Sequence, residues 1–170
     1  MDKRIYILFI VLFLFVNNIS KAQVDDEIVP PVKLMGPRLG FTYITPGETA
    51  DDIAKWDINP FITQFGWQFE TRFFTLESGV SGLVEGVILL GAVEQSKLLP
   101  SGTLLFGIRG ADGFEFGFGP NLSLSGIAFA LALGVNLRSE NINFPINIAI
   151  VPSSEGVRIS LLFGFNARQN

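Results

Sequence analysis

Residues 114–137 read FEFGFGPNLSLSGIAFALALGVNL, and their alternation decides the fold. Phe114, Phe116, Phe118, Leu122 and Leu124 occupy even positions, with Glu115, Gly117, Gly119, Asn121 and Ser123 between them. After Ser125-Gly126 the parity reverses: Ile127, Phe129, Leu131, Leu133, Val135 and Leu137 alternate with Ala128, Ala130, Ala132, Gly134 and Asn136. A repeat of two is the side-chain period of a β-strand. A parity change across an even-length connection is what an antiparallel hairpin needs to keep both apolar sets on one face.

The same period extends in both directions. Upstream, Phe65, Trp67, Phe69 and Phe73 face away from Gln64, Gly66, Gln68, Glu70 and Arg72, and shorter runs occur at Leu39-Phe41-Tyr43 and Leu104-Phe106-Ile108. Downstream, Ile142, Phe144, Ile146, Ile148 and Ile150 oppose Asn143, Asn147 and Ala149. Val157, Ile159, Leu161, Phe163 and Phe165 oppose Arg158, Ser160, Gly164 and Asn166. Residues 78–94 load both faces with Leu83, Val84, Val87, Ile88, Leu89 and Leu90 around Glu85. A strand is expected there, with a short buried helix as its rival. Ala111-Asp112-Gly113 supplies the odd-length turn that its flanking runs require and sets Arg109 opposite Glu115. Ser139-Glu140 and Ser153-Ser154 supply even ones. Pro145 removes a ladder donor and should mark a bulge or a weak point in pairing.

The polar face decides which way the sheet is turned. It consists of Gly, Ala, Asn and Gln with isolated charges, unlike the Lys- and Glu-rich face of a solvated sheet. By parity Arg38, Glu70, Arg72, Glu85, Arg109, Glu115 and Arg158 all belong to it, and together they form an expected interior salt-bridge network. A closed eight-stranded barrel has an interior just wide enough for side chains to fill, and buried charges there must be paired. The apolar face, which draws on fourteen of the chain's seventeen Phe residues, then meets lipid. Strands of about ten residues also suit a tilted membrane crossing. The fold class expected is therefore all-β: an eight-stranded antiparallel up-and-down transmembrane barrel.

The N-terminus sets the compartment. Lys3 and Arg4, the apolar run Ile5 to Val16 and the small residues of Ser20-Lys21-Ala22 form a cleavable signal peptide over residues 1–22. Residues 23–36, acidic and then proline-bearing, read as a periplasmic tether, and 37–170 as the barrel domain. Without the leader, nine basic residues face fifteen acidic ones, which argues against nucleic acid as a partner. The chain has no Cys and no His, so thiolate chemistry and the commonest general base are excluded.

On this signal sequence, strand count, alternation and interior Arg/Glu pairs, residues 37 to 166 resemble the small outer-membrane barrels of the OmpA-transmembrane-domain and OmpX type. The resemblance implies residence in outer-membrane lipid and handling by the outer-membrane assembly machinery. The last strand ending at Phe165 looks like the C-terminal signal read by that machinery, although Asn166 to Asn170 follow it.

No enzymatic activity and no cofactor is expected. Glu70 and Glu85 as a catalytic carboxylate pair are outweighed by an interior ion-pair network. The connection Thr45 to Pro60 carries Glu48, Asp51, Asp52 and Asp57 around Trp56. Calcium takes carboxylate oxygens, but the spacing is not that of an EF-hand, and a solvated surface loop open to a partner is the stronger reading. Trp56 and Trp67 are expected to anchor the barrel at the membrane boundary. The functional expectation is a structural or interaction/adhesion-type outer-membrane barrel. The alternative is a secreted or periplasmic barrel with its Phe face inward, holding a lipid or other apolar ligand.

Overall fold

The computed structural model describes residues 31–139, 142–153 and 156–168. The expected leader and most of the expected tether lie outside these. The strands are β1 Val32–Ile44, β2 Phe61–Thr75, β3 Ser81–Gly91, β4 Leu99–Arg109, β5 Phe114–Ser123, β6 Gly126–Ser139, β7 Ile142–Val151, β8 Arg158–Gly164 and β9 Asn166–Arg168. Each of β1 to β7 pairs antiparallel with the next, and β1 pairs with β2 on one side and with β8 and β9 on the other, so the sheet closes on itself. Arg38↔Gly164 and Met35↔Ala167 share one register. The segment β9 is thus the end of β8, and the architecture is an eight-stranded up-and-down barrel.

The last strand is divided where prolines lie on both neighbouring strands, Pro37 of β1 and Pro145 of β7. β7 pairs with β8 as far as Ile146↔Phe163 and resumes with β9 at Asn143↔Asn166, skipping Phe144 and Pro145. The ladder lapses where the chain has no N–H to give. β3 is a strand in spite of its double-sided hydrophobicity, because full ladders to β2 and β4 hold it. Its inner residues Leu83, Val87 and Leu89 are buried in the lumen while Ile88 points out. The helical alternative for residues 78–94 is thereby excluded.

Several boundaries differ from the sequence reading. Val32 to Gly36 pair with Gln68 to Arg72, so the barrel begins ahead of residue 37 and takes in the end of the expected tether. Gly36-Pro37 looks like a strand breaker locally, but β2 holds both residues on one side, and on the other the ladder to β9 ends at Met35 and resumes with β8 at Arg38. The β5–β6 turn is Leu124-Ser125, closed by Ser123↔Gly126, and β6–β7 is closed by Ser139↔Ile142. Each is shifted by one residue from the expected turn but keeps its even length, so the faces are preserved. A bulge between Arg72 and Phe74 in the β2–β3 ladder leaves both Phe73 and Phe74 exposed. The β4–β5 turn matches expectation: Arg109 pairs with Glu115 and Gly113 takes φ 90°, a left-handed conformation that glycine adopts without strain.

The connections divide between two ends. Among the described residues, 45–60, 92–98, 124–125, 152–153 and 156–157 form what we call the loop end, and 76–80 and 110–113 the turn end. The longest connection is not an extended loop. It contains helix α1, Glu48–Lys55, whose buried Thr49 and Ile53 face the barrel. Ile53 packs with Ile44, Ile58, Ile62 and Ala92, and Glu48 and Asp51 lie in the first turn, where carboxylates complement the helix dipole.

On the outside, Phe, Leu and Ile stand alternately from every strand and stay exposed, Phe65 at 44%, Phe116 at 43% and Ile148 at 50%. On the inside, glycines let neighbouring strands approach. A Cβ on Gly66 would lie 1.9 Å from the Ile88 carbonyl oxygen, so only backbone movement would admit it. Gly66→Ala should therefore lower the urea-unfolding midpoint of the refolded barrel by an amount worth about 1–3 kcal/mol, followed by its heat-modifiable gel band. Outward Phe69→Leu should leave the midpoint nearly unchanged.

Candidate functional site

The lumen holds two layers. In the turn-side half, Arg109 from the end of β4 is the hub. Its Nη1 and Nη2 donate to Glu70 Oε1 and Oε2 at 2.5 and 2.9 Å, and its Nε donates to Glu115 Oε2 at 2.6 Å. Glu85 Oε1 lies 3.6 Å from Nη2. Asn136, in the amide orientation that satisfies both its ends, accepts from Nη2 at 3.0 Å. Arg72 stands 3.6 Å from Glu70. Arg38 touches no carboxylate directly. It donates to Gln68 and Asn166 at 2.7 and 2.9 Å, and these amides in turn donate to Glu85 and Glu70 at 3.1 and 3.4 Å.

Six of the seven charges singled out from the sequence therefore form one cluster of three arginines and three glutamates. Arg38, Glu70 and Arg109 are almost completely inaccessible, a burial that would be strongly unfavourable for any unpaired member. Glu70 and Glu85 do face each other across the β2–β3 ladder, but both belong to Arg109, which suits a structural cluster better than an acid–base pair. Sequence reasoning missed the amides Gln68, Asn136, Asn147 and Asn166. The available signal was their parity with the charges, since an inward amide in a closed lumen needs a charged or amide neighbour.

The seventh charge is elsewhere. Arg158, at the loop-end start of β8, donates to Ser123 Oγ at 2.7 Å and to Asn121 Oδ1 at 3.0 Å, and among the described residues no carboxylate pairs with it. Ser123 and Asn121 belong to β5, three places round the ring, so the guanidinium reaches across the lumen.

Between Arg158 and the charged cluster is a cavity of about 410 Å³. Val87, Leu89, Leu105 and Leu162 with Ala130 and Ala132 form much of its wall, Gln68 and Glu85 lie at its floor, and Ile53 and Trp56 of the α1 segment edge its mouth. The alanines of β6 read as filler in sequence; in the closed barrel they leave room.

The surface-loop residues are distributed around that mouth. Glu48, Asp51, Asp52 and Asp57 are exposed, and Asp52 is paired with Lys55 at 2.6 Å. Among the described residues no group of acidic side chains is disposed to hold a metal. Trp56 belongs to the cavity mouth and Trp67 to the middle of β2, paired with Pro37 and Ile88. Trp56 thus sits at the loop end of the barrel, and Trp67 midway along β2, away from either strand end. Glu94, in the 92–98 connection, accepts from the Thr63 backbone at 3.0 Å and from its hydroxyl, and from Gln95 at 3.1 Å. Slight burial pushes its carboxyl up, but these hydrogen bonds outweigh that and hold it down at about 2.

No family model and no curated protein matches the sequence. Among solved structures, the chain is similar to Ail, the attachment invasion locus protein of Yersinia pestis, in complex with the heparin analogue sucrose octasulfate, at 10% identity and a TM-score of 0.36, covering 82% of this chain and 97% of that one. A second structure of Ail is similar at 11% identity and a TM-score of 0.30, with the same coverage.

Two outcomes follow from this geometry. Arg109→Met abandons buried carboxylates and should destabilise the refolded barrel by about 3–5 kcal/mol in urea titration, far more than Arg158→Met, which abandons none. Glu94 is held below its ordinary value of 4.5, so its stabilising contacts are complete above that pH and are lost as pH falls toward about 2. The Thr63 amide proton, followed by NMR, should titrate with a midpoint near the lower value. A midpoint at the ordinary one would remove these hydrogen bonds from the account.

Proposed function

We propose that the chain is an integral outer-membrane barrel without catalytic activity, and that it works by binding at its loop end. One observation carries the reading: a continuous belt of Phe, Leu and Ile faces outward around a lumen whose turn-side half is filled by a charge-balanced cluster. In water such a belt would be a large exposed apolar patch, which soluble monomers avoid. In a bilayer it is the matching surface, with closed pairing leaving no strand edge unsatisfied. Partners on this reading are outer-membrane lipid around the belt and the assembly machinery during insertion, after export by a cleaved signal peptide.

The orientation of the Phe residues removes the reading in which they line the interior of a secreted barrel. Passive transport is disfavoured because Arg38, Glu70 and Arg109 occupy the lumen with no exposed surface to speak of. The loop end remains, with α1, the 92–98 connection and the cavity mouth. Glu48, Asp51, Asp52, Asp57 and Glu94 outnumber Lys55 and Lys97 there among the described residues, so a polyanionic partner is opposed by charge.

Expressed with its leader, the protein should stay with the outer-membrane fraction through a urea wash, migrate faster unboiled than boiled in detergent gels, and give no steady conductance in planar bilayers. Release by urea alongside periplasmic markers would overturn the proposal, and stable channels would replace loop-end binding with transport.

A further inference from the structure

Among the described residues the charges of the lumen divide into a paired cluster and one arginine outside it. Arg38, Arg72 and Arg109 are matched by Glu70, Glu85 and Glu115 within the turn-side cluster. Among the described residues Arg158 lies outside this cluster, and its partners there are the neutral oxygens of Ser123 and Asn121. A guanidinium with only neutral acceptors, drawn across the mouth of an apolar cavity, gains most from an anion. We infer that the loop-end cavity binds a single-chain anionic amphiphile, with its head group on Arg158 and its alkyl chain directed into the lumen. The inference rests on the loop-end binding function proposed above and names its ligand class.

Three features assign the chemistry. The wall is apolar where an alkyl chain would lie: Val87, Leu89 and Leu162 form one buried cluster, and Leu105, Ala130, Ala132 and Val151 another. The floor repels an anion, because Glu85 lines it and Asn147 Oδ1 is a buried acceptor without a hydrogen-bond partner. The negative head group therefore belongs at the rim and not below it. A volume of about 410 Å³ lies near the low end of the ~300–1,000 Å³ typical of ligand pockets, which suits one alkyl chain better than a two-chain lipid. Of the loop-end carboxylates only Asp52 lines the cavity, and it is paired with Lys55, so the acidic excess that opposes a polyanion bears less on a single head group that reaches Arg158. The chain's own N-terminal segment is an unsuitable occupant, since β1 starts at the turn end and the cavity opens at the loop end.

The test uses the full barrel in phosphatidylcholine nanodiscs. Trp67→Phe removes the outward tryptophan and leaves Trp56, at the cavity mouth, as reporter. Decanoate should change Trp56 fluorescence saturably, and decanol should bind about tenfold more weakly or worse, as the loss of a charge-assisted hydrogen bond implies. Arg158→Gln should bring decanoate down to the level of decanol, Arg158→Lys should restore part of the difference, and Ala132→Leu, which fills the wall, should weaken both. Equal binding of decanoate and decanol to the parent, preference for decyltrimethylammonium, or a signal indifferent to Ala132→Leu would each overturn the inference. If the parent is heat-modifiable and membrane-bound yet binds none of these, the ligand assignment falls while the barrel reading stands.

Discussion

Closing eight strands into a tube leaves an interior with room for side chains and almost nothing else. Every inward residue must then be small, be apolar, or be bonded to another inward residue, because water cannot make good what the protein leaves unpaired. Arg109 shows the constraint at its most severe. It has no accessible surface, and its five donors are turned on Glu70, Glu115 and Asn136 from three other strands. Arg38 meets the same demand through amides. One cross-lumen cluster thereby ties β1, β2, β3, β4, β5 and β6 together, with Asn166 bringing in the last strand.

The constraint also explains the asymmetry along the axis. Charge and amide fill the turn-side half, while alanine and aliphatic side chains line the loop-side half. The first half is held by bonds that specify geometry; the second is held by little more than the wall itself. Residues that leave space in a closed tube are those from which binding can be made at low cost in stability, since fewer bonded groups have to be displaced there than in the charged cluster. The cavity and Arg158 occupy that half.

Helix α1 completes the picture at the mouth. A connection that carried only solvated carboxylates would be free of the barrel. Ile53 instead inserts among Ile44, Ile58, Ile62 and Ala92, so the helix sits as a partial cover while its acidic face stays in water. Trp56 follows directly from this packing. It ends the helix at the cavity edge.

The alternation of Phe114 to Leu124 against Ile127 to Leu137 determined strand, face and hairpin, because a period of two is a local property that survives without knowledge of any partner. Parity did the same for the inward set: the pairing of Arg109 with Glu115 across a three-residue turn depends only on their separation in the chain. What alternation cannot carry is distance round the ring. That Arg109 would meet Glu70 and Arg158 would not, that Gly36-Pro37 would be held as strand by β2, and that six small or aliphatic residues on four strands would enclose a cavity, all depend on how the sheet closes. Closure brings together residues more than thirty apart in sequence, such as Arg109 and Glu70, and no local pattern specifies which of them share a level.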